Sequence, residues 1–302
     1  MNKMSTKRDL IGFILLIPAV LYMIVFCGFP VVYNLILSFQ NVEMSNINSG
    51  AKGFVGFQQY LDLFDVSKDK LFVMGIGHTF KYTVFSILFQ FAIGFAFSVL
   101  FAQKFRLAGF LRGFMLISWL LPTTVVGLLV QYMFAGQGGI VNEFLLKLGL
   151  IHTSINWLVE KHTAMWVLIA ANTWVGVPFN MLLLATGLST IPESLYESAN
   201  IDGASGFKKF FYITVPMMKP AIMSVITLGF IYTFKVFDLV FIGTGGGPVN
   251  ATEVLSTLSY RYAFTSGDFS KGAASANVLF VILLVVSLIY LKYLNADEEV
   301  MS

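Results

Sequence analysis

Charge is the scarcest ingredient of this 302-residue chain: 12% of its residues are Asp, Glu, Lys or Arg, against roughly 25% in soluble domains. A chain so poor in charge cannot present a water-facing surface around its whole periphery. Cysteine is rarer still, and the single Cys27 stands in an apolar run, which excludes a disulfide scaffold. The three histidines, His78, His152 and His162, have no metal-ligand spacing and lie outside the apolar runs. A net charge of +3 without a basic stripe gives too little phosphate attraction for a nucleic-acid partner. No glycine-rich loop ends in Lys-Ser/Thr to cradle nucleotide phosphates, and no Ser/His/Asp set or intramembrane carboxylate pair suggests an enzyme. What the chain does have is 57% hydrophobic residues, 31 of them Phe, and a mean hydropathy of +0.80. These point to an all-α polytopic membrane protein in which energy and catalysis, if any, come from elsewhere.

A helix needs about 20 mostly apolar residues to cross roughly 30 Å of hydrocarbon, where only an internal hydrogen-bond ladder satisfies the backbone. Six stretches qualify: Leu10 to Phe39, Tyr82 to Ala102, Phe114 to Ala135, Ala164 to Leu188, Ala221 to Ile242, and Ala273 to Leu291. The first is long and holds Pro18 and Pro30, so a kinked or tilted helix is expected. Lys3, Lys7 and Arg8 before it resemble the start of a signal peptide, but the apolar run is about twice the usual 7 to 15 residues and reads as an uncleaved anchor.

Basic residues set the orientation. With the N-terminus inside, short cytoplasmic segments carry Lys104, Arg106, Arg112, Lys208, Lys209, Lys219 and Lys292. The opposite side carries Lys52, Lys68, Lys70, Lys147, Lys161, Arg261 and Lys271, diluted by eight acidic residues. Both termini are then cytoplasmic in a multi-pass protein of a prokaryotic cell membrane. No linker divides the chain, so residues 1–302 read as one integral domain.

The connection after the fourth span is about 30 residues long, where most helix connections need 2 to 8. It has the punctuation of two short helices within residues 189–220. Thr190 is a candidate N-cap with Pro192 and Glu193 in the first turn. Gly203 ends the first piece, Ser205 caps the second, and Pro216 with Pro220 is expected to stop it. Within this loop stand Glu197-Ser198-Ala199, then Asp202-Gly203, then Ile213-Thr214-Val215-Pro216.

This spacing resembles the EAA loop of binding-protein-dependent ABC importers: Glu-Ala-Ala, three residues, Gly, nine residues, Ile, one residue, Leu-Pro. Ser198 and Val215 depart from it by small changes. Phe237-Asp238 followed by Thr244-Gly-Gly-Gly-Pro248 further resembles the carbohydrate branch of those permeases, of maltose, multiple-sugar and glycerol-3-phosphate type, over about residues 75–291. The resemblance implies a type I importer fold and a subunit that carries a sugar, an oligosaccharide above all. It implies a second related permease, two ATPase subunits that hold the ATP and magnesium, and an extracytoplasmic solute-binding protein. No cofactor would be bound by this chain itself. In the family the loop forms coupling helices resting in a cleft of the ATPase. Glu197 would supply charge there, Ser198 and Ala199 close approach, Gly203 the turn, and Asp202, Ile213 and Pro216 the rest of the motif. The alternative for the loop is an amphipathic surface helix on lipid headgroups, helped by Lys208 and Lys209.

The solute path is sought among polar groups in the spans. Lys235 and Asp238, three apart, read as neighbours on one helix; a lone Lys in mid-membrane costs roughly 3 kcal/mol and normally faces a cavity or partner. Asn172, Trp174 and Asn180 add amides and an aromatic ring suited to a sugar. Ser86, Gln90, Gly94 and Ser98 recur at steps of four and read as a packing stripe. An ion-coupled carrier using Lys235 and Asp238 as a relay, and an anchoring subunit without transport, are the rival readings.

Overall fold

The computed structural model describes residues 15–48, 53–103 and 105–301, with side chains through Lys292. The basic residues Lys3, Lys7, Arg8, Lys52 and Lys104, and the first residues of the first expected span, lie outside them. The chain divides into two compact units, Met1–Asp69 with Ser259–Val278, and Lys70–Leu258 with Leu279–Ser302.

The first unit contains α1 (Leu15–Ser38), the strands β1 (Gln40–Asn41) and β2 (Gly53–Phe54), and α2 (Gln58–Phe64). A π-helical turn at Ile24–Gly28 precedes Pro30, whose ring cannot accept a regular turn before it. β1 and β2 pair antiparallel with Gln40 opposite Phe54. Asn34 donates to Asn277 Oδ1 at 2.7 Å, and Ser38 meets Tyr60 OH at 2.7 Å. The backbones of Glu43 and Asp268 pair in a single antiparallel bridge, and burial, ahead of the Glu43 charge, pushes the Asp268 carboxyl above the usual carboxylate range.

Asp69, 6% exposed, accepts from Tyr262 OH at 2.5 Å and pairs with Lys271 Nζ at 2.7 Å; that ammonium also lies 4.7 Å from the Tyr262 ring centre. Removing one partner strands the other, so Asp69→Ala is expected to cost about 2–3 kcal/mol, below the fully buried range because Lys271 keeps some solvent. An unchanged melting temperature in detergent would refute this.

In the second unit, α3 (Lys70–Ala102) and α7 (Ala164–Ser189) form the central pair. Between them in sequence come α4 (Ala108–Leu120), α5 (Thr123–Met133) and α6 (Ile140–Lys147), and after them α8 (Glu193–Ile201), α9 (Gly206–Met217), α10 (Lys219–Phe234), α11 (Asp238–Thr244) and α12 (Leu255–Tyr260), whose last two residues belong to the first unit. The last helix, α13 (Phe269–Met301), begins in the first unit and continues in the second. Among the described residues four helices are individually long and apolar enough to span; α4 with α5, bent by 96°, and α9 with α10, bent by 66°, bring the candidate spans to six when each bent pair is counted as one.

Two of the expected spans are therefore not single rods. The third breaks at Leu121 and Pro122: Leu121 is extended (φ −70°, ψ 135°), as the residue before proline prefers, and α5 starts afresh. The fifth ends at Phe234, not Ile242, and Lys235 to Phe237 separate it from α11. The second span starts at Lys70, twelve residues before Tyr82, so His78 is helical and its ring meets the Glu253 carbonyl at 3.2 Å.

Water does not drive helices together in lipid, so close packing must. Tyr82, Val126, Met165, Leu168, Leu239 and Val240 form the apolar core. Ser86, Gln90, Gly94 and Ser98 are all buried on α3, as a packing stripe requires.

Candidate functional site

Pro192 precedes the first turn of α8; Thr190 instead ends α7, with its N–H and Oγ1 both on the Gly187 carbonyl. The expected N-cap at Thr190 is thus a C-cap. A carbonyl at the end of a long span needs a partner, and Thr190 is within reach. The close of α8 follows the sequence reading: Gly203 has φ +70°, its N–H reaches the Asn200 carbonyl at 3.1 Å, and Ala204 N–H reaches the Ala199 carbonyl at 2.9 Å. Those two bonds make a Schellman motif, which needs a left-handed residue where Gly203 stands. Ser205 caps α9 by accepting from Lys208 N–H. Pro216 does not stop that helix. A π-helical turn at Phe210–Thr214 absorbs the ring, and the helix runs to Met217.

The loop is bolted to the bundle on one side. Tyr196 and Ile213 pack on the cluster of Leu184, Ile191, Met218 and Val225. Tyr196 OH meets Thr214 Oγ1 at 2.8 Å, and Phe210 stands edge-on to Phe95 at 5.5 Å. Lys209 Nζ donates to Asn200 Oδ1 at 2.7 Å, linking α8 to α9. The other side is bare: Glu197, Ser198, Asp202, Gly203 and Pro216 are exposed, Ala199 and Ile213 half-buried. Ile201, Phe207 and Tyr212 are also turned out, at 87%, 74% and 81% exposure. Sequence reasoning missed Ile201 and Tyr212, and it placed Phe207 with Phe210, Phe211 and Val215 on the apolar side of the second helix. The signal for Ile201 and Tyr212 was a hydrophobic residue outside the apolar period of each piece.

A cavity of about 510 Å³ lies in the second unit among α3, α4, α5, α7, α10 and α11. Of the residues singled out for a path, Asn172, Asn180, Lys235 and Asp238 all line it. Trp174 does not. Two residues on from Asn172 is a rotation of ~200° about the helix, which puts Trp174 in a separate apolar groove with Phe89, Phe97, Phe114 and Trp166.

Lys235 and Asp238 are not neighbours on one helix, as expected, but flank a break. Lys235 closes α10, where its charge complements the carbonyl end, and its ammonium lies 5.3 Å from the Tyr232 ring centre. Asp238 opens α11, where a carboxylate complements the N–H end, and accepts from Thr123 Oγ1 at 3.1 Å. Ser256 Oγ donates to the Val236 carbonyl in the gap. Thr123 opens α5 at the other break, so two interrupted spans meet at the cavity, a construction membrane transporters use at solute sites.

Aromatic faces that the sequence reading did not select complete the lining. Trp119 stacks on Phe179 at 5.5 Å, and Phe179 meets Tyr232 edge-on at 6.3 Å. Pro178 removes the donor for the Trp174 carbonyl, to which Ser118 Oγ points at 3.5 Å. Beyond α11, Gly245 and Gly246 take positive φ, as a tight turn requires.

Residues 90–297 match the family model described as binding-protein-dependent transport system inner membrane component. The chain is 31% identical to the trehalose/maltose transport system permease protein MalF of Thermococcus litoralis, covering 96% of each. It is 29% identical to the arabinooligosaccharides transport system permease protein AraP of Bacillus subtilis, over 91% of this chain and 85% of that one. Among solved structures it resembles a bacterial ABC transporter involved in import of the acidic polysaccharide alginate, with a TM-score of 0.78 at 20% identity over 95% of this chain and 97% of that one. The family model covers more than half of the chain and the archaeal relative is matched over nearly its whole length, and the chain belongs to the binding-protein-dependent transport system inner membrane component family.

Proposed function

We propose that the chain is a membrane-spanning subunit of an ATP-driven importer that carries a sugar, an oligosaccharide above all, into the cytoplasm. The observation that carries this reading is the cavity at the two helix breaks. Amides at Asn172 and Asn180 and charges at Lys235 and Asp238 suit hydroxyls, while Trp119, Phe179 and Tyr232 offer faces for the apolar side of a sugar ring. The sugar-permease names of its relatives support the same solute class.

Energy enters through the loop. Its bare side, with Glu197, Ser198, Asp202 and Gly203 beside Ile201, Phe207 and Tyr212, is the face for a separate ATPase, which binds ATP and magnesium; this chain holds no cofactor. Three exposed hydrophobic side chains on a loop that also exposes a carboxylate suit a protein cleft better than solvent. A second related permease, two ATPase subunits and an extracytoplasmic solute-binding protein complete the assembly, the first of these within the lipid. The loop faces the cytoplasm, as do both termini, in keeping with Arg106, Arg112, Lys208, Lys209, Lys219 and Lys292. Residues 1–302 act as one permease. A proton relay through Lys235 and Asp238 gains nothing from their positions, since no ion pair joins them among the described residues.

The complex in vesicles is expected to take up a labelled di- or oligosaccharide only when ATP is supplied. Asn172→Ala and Asn180→Ala should each raise the half-saturating sugar concentration about tenfold, the loss of one hydrogen bond of ~1.4 kcal/mol. Trp174→Ala should change it less than twofold. Uptake driven by a proton gradient without ATP would overturn the reading.

A further inference from the structure

Gln90 belongs to the buried stripe of α3, where a packing role is the expectation, yet at 4% exposure it also lines the cavity. Its Nε2 donates to the Asn172 carbonyl at 3.0 Å, and its Oε1 accepts from Asn180 Nδ2 at 3.4 Å. That Nδ2 also donates to the Gly176 carbonyl at 2.8 Å. A backbone carbonyl only accepts, so each end of this relay fixes which way its amide is turned. The nitrogen of Gln90 must face Asn172, its oxygen must then face Asn180, and the nitrogen of Asn180 must face Gly176.

Two glycines make the relay possible. A Cβ on Gly176 would lie 2.3 Å from Gln90 Cδ, so any other residue there would expel the side chain. Gly94, one turn along α3, lets α7 approach until its own Cβ would stand 2.8 Å from Asn180 Cβ.

The consequence is a wall of α7 with one hydrogen-bonding sense. Both protons of Asn180 Nδ2 are engaged, which leaves its Oδ1 as an acceptor. Asn172 Nδ2, two turns away on α7, is buried without a hydrogen-bond partner among the described residues and so does not itself face the cavity. We propose that Gln90 is a positioning residue that orients the Asn180 amide and pins the Asn172 turn, so that the cavity meets sugar hydroxyls with an acceptor at Asn180. Hydroxyls act in both senses, so a sugar satisfies this wall where an ether or a fluorinated analogue does not. The assignment rests on the sugar-transport reading and adds the residue that sets its selectivity.

The test uses the complete transporter in vesicles and a panel of labelled maltose, trehalose, cellobiose and arabinobiose, followed by monofluorinated forms of whichever sugar the wild type takes up. Gln90→Met keeps length and flexibility but removes the relay; Gln90→Asn keeps the amide but is one methylene too short to reach both partners. Ser98→Ala, in the same buried stripe, reports a purely packing defect. Both Gln90 variants should raise the half-saturating concentration tenfold or more and flatten discrimination against the fluorinated sugars, with the saturated rate within twofold of wild type. Ser98→Ala should leave both measures unchanged. Should Gln90→Met fail to assemble, Gln90→Asn alone decides. Unchanged half-saturation and discrimination, or a loss of rate that merely follows a loss of melting temperature, overturns the proposal while the transport reading stands. A wild-type complex that takes up none of the panel overturns both.

Discussion

Gly203→Val is expected to leave the chain folded in the membrane and to cut ATP-driven uptake at least tenfold, whereas Gly203→Asn should keep most of it. The reason is conformational and not steric, because a Cβ on Gly203 would meet nothing within 4 Å. At φ +70° a β-branched residue is strained by about 1–3 kcal/mol, while asparagine tolerates the left-handed region. Valine would escape the strain by opening the Schellman turn, losing the Ala204 and Gly203 hydrogen bonds that end α8. The direction in which Glu197 and Ile201 leave the loop would then change relative to α9, which Ile213 and Phe210 hold to the bundle. Sugar-stimulated ATP hydrolysis and uptake, measured together on both variants, separate the cases. Equal uptake by the valine and asparagine forms would refute a role for this turn in coupling.

The charge order at the fifth span was legible and was read the wrong way round. On one helix, an acid N-terminal to a base is the favoured arrangement. Lys235 followed by Asp238 is the reverse, and it is the order expected when one helix ends and the next begins, with a cation at the carbonyl end and an anion at the N–H end. Pro122 carried a similar message for the third span, since the residue before proline is driven out of the helical region. Hydropathy alone cannot see either break, because both halves of each span are equally apolar. The loop was more transparent: Gly203 and Ser205 do what their residue types suggest, for capping depends on a few local atoms. Thr190 misled because a hydroxyl between two helices can cap either one, and only the path of the chain decides. The cavity wall was legible as far as periodicity reaches. Asn172, Gly176 and Asn180 share a face and Trp174 does not, but that Gln90 crosses from α3 to tie them depends on how close two helices come.

That closeness is itself testable, and a second large effect is expected at Gly94. A Cβ there would stand 2.8 Å from Asn180 Cβ, 3.1 Å from Met181 N and 3.3 Å from the Val177 carbonyl oxygen. Two of those atoms are backbone in the middle of α7 and cannot turn aside, so the helices must separate. Overpacking of this kind costs about 1–3 kcal/mol, and in lipid there is no hydrophobic drive to restore contact once the surfaces part. Gly94→Ala is therefore expected to lower the melting temperature in detergent by several degrees, and Gly94→Leu to prevent a stable monodisperse preparation. Gly77 on the same helix supplies the opposite sign: nothing lies within 4 Å of its Cβ, so Gly77→Ala should gain about 0.5–1 kcal/mol from helix propensity alone. Because Asn180 moves with the α7 surface, Gly94→Ala should also raise the half-saturating sugar concentration, which Gly77→Ala should not. A stable Gly94→Leu protein with normal uptake would mean that α3 and α7 do not cross as closely as described, and the relay from Gln90 to Asn180 would fall with that crossing.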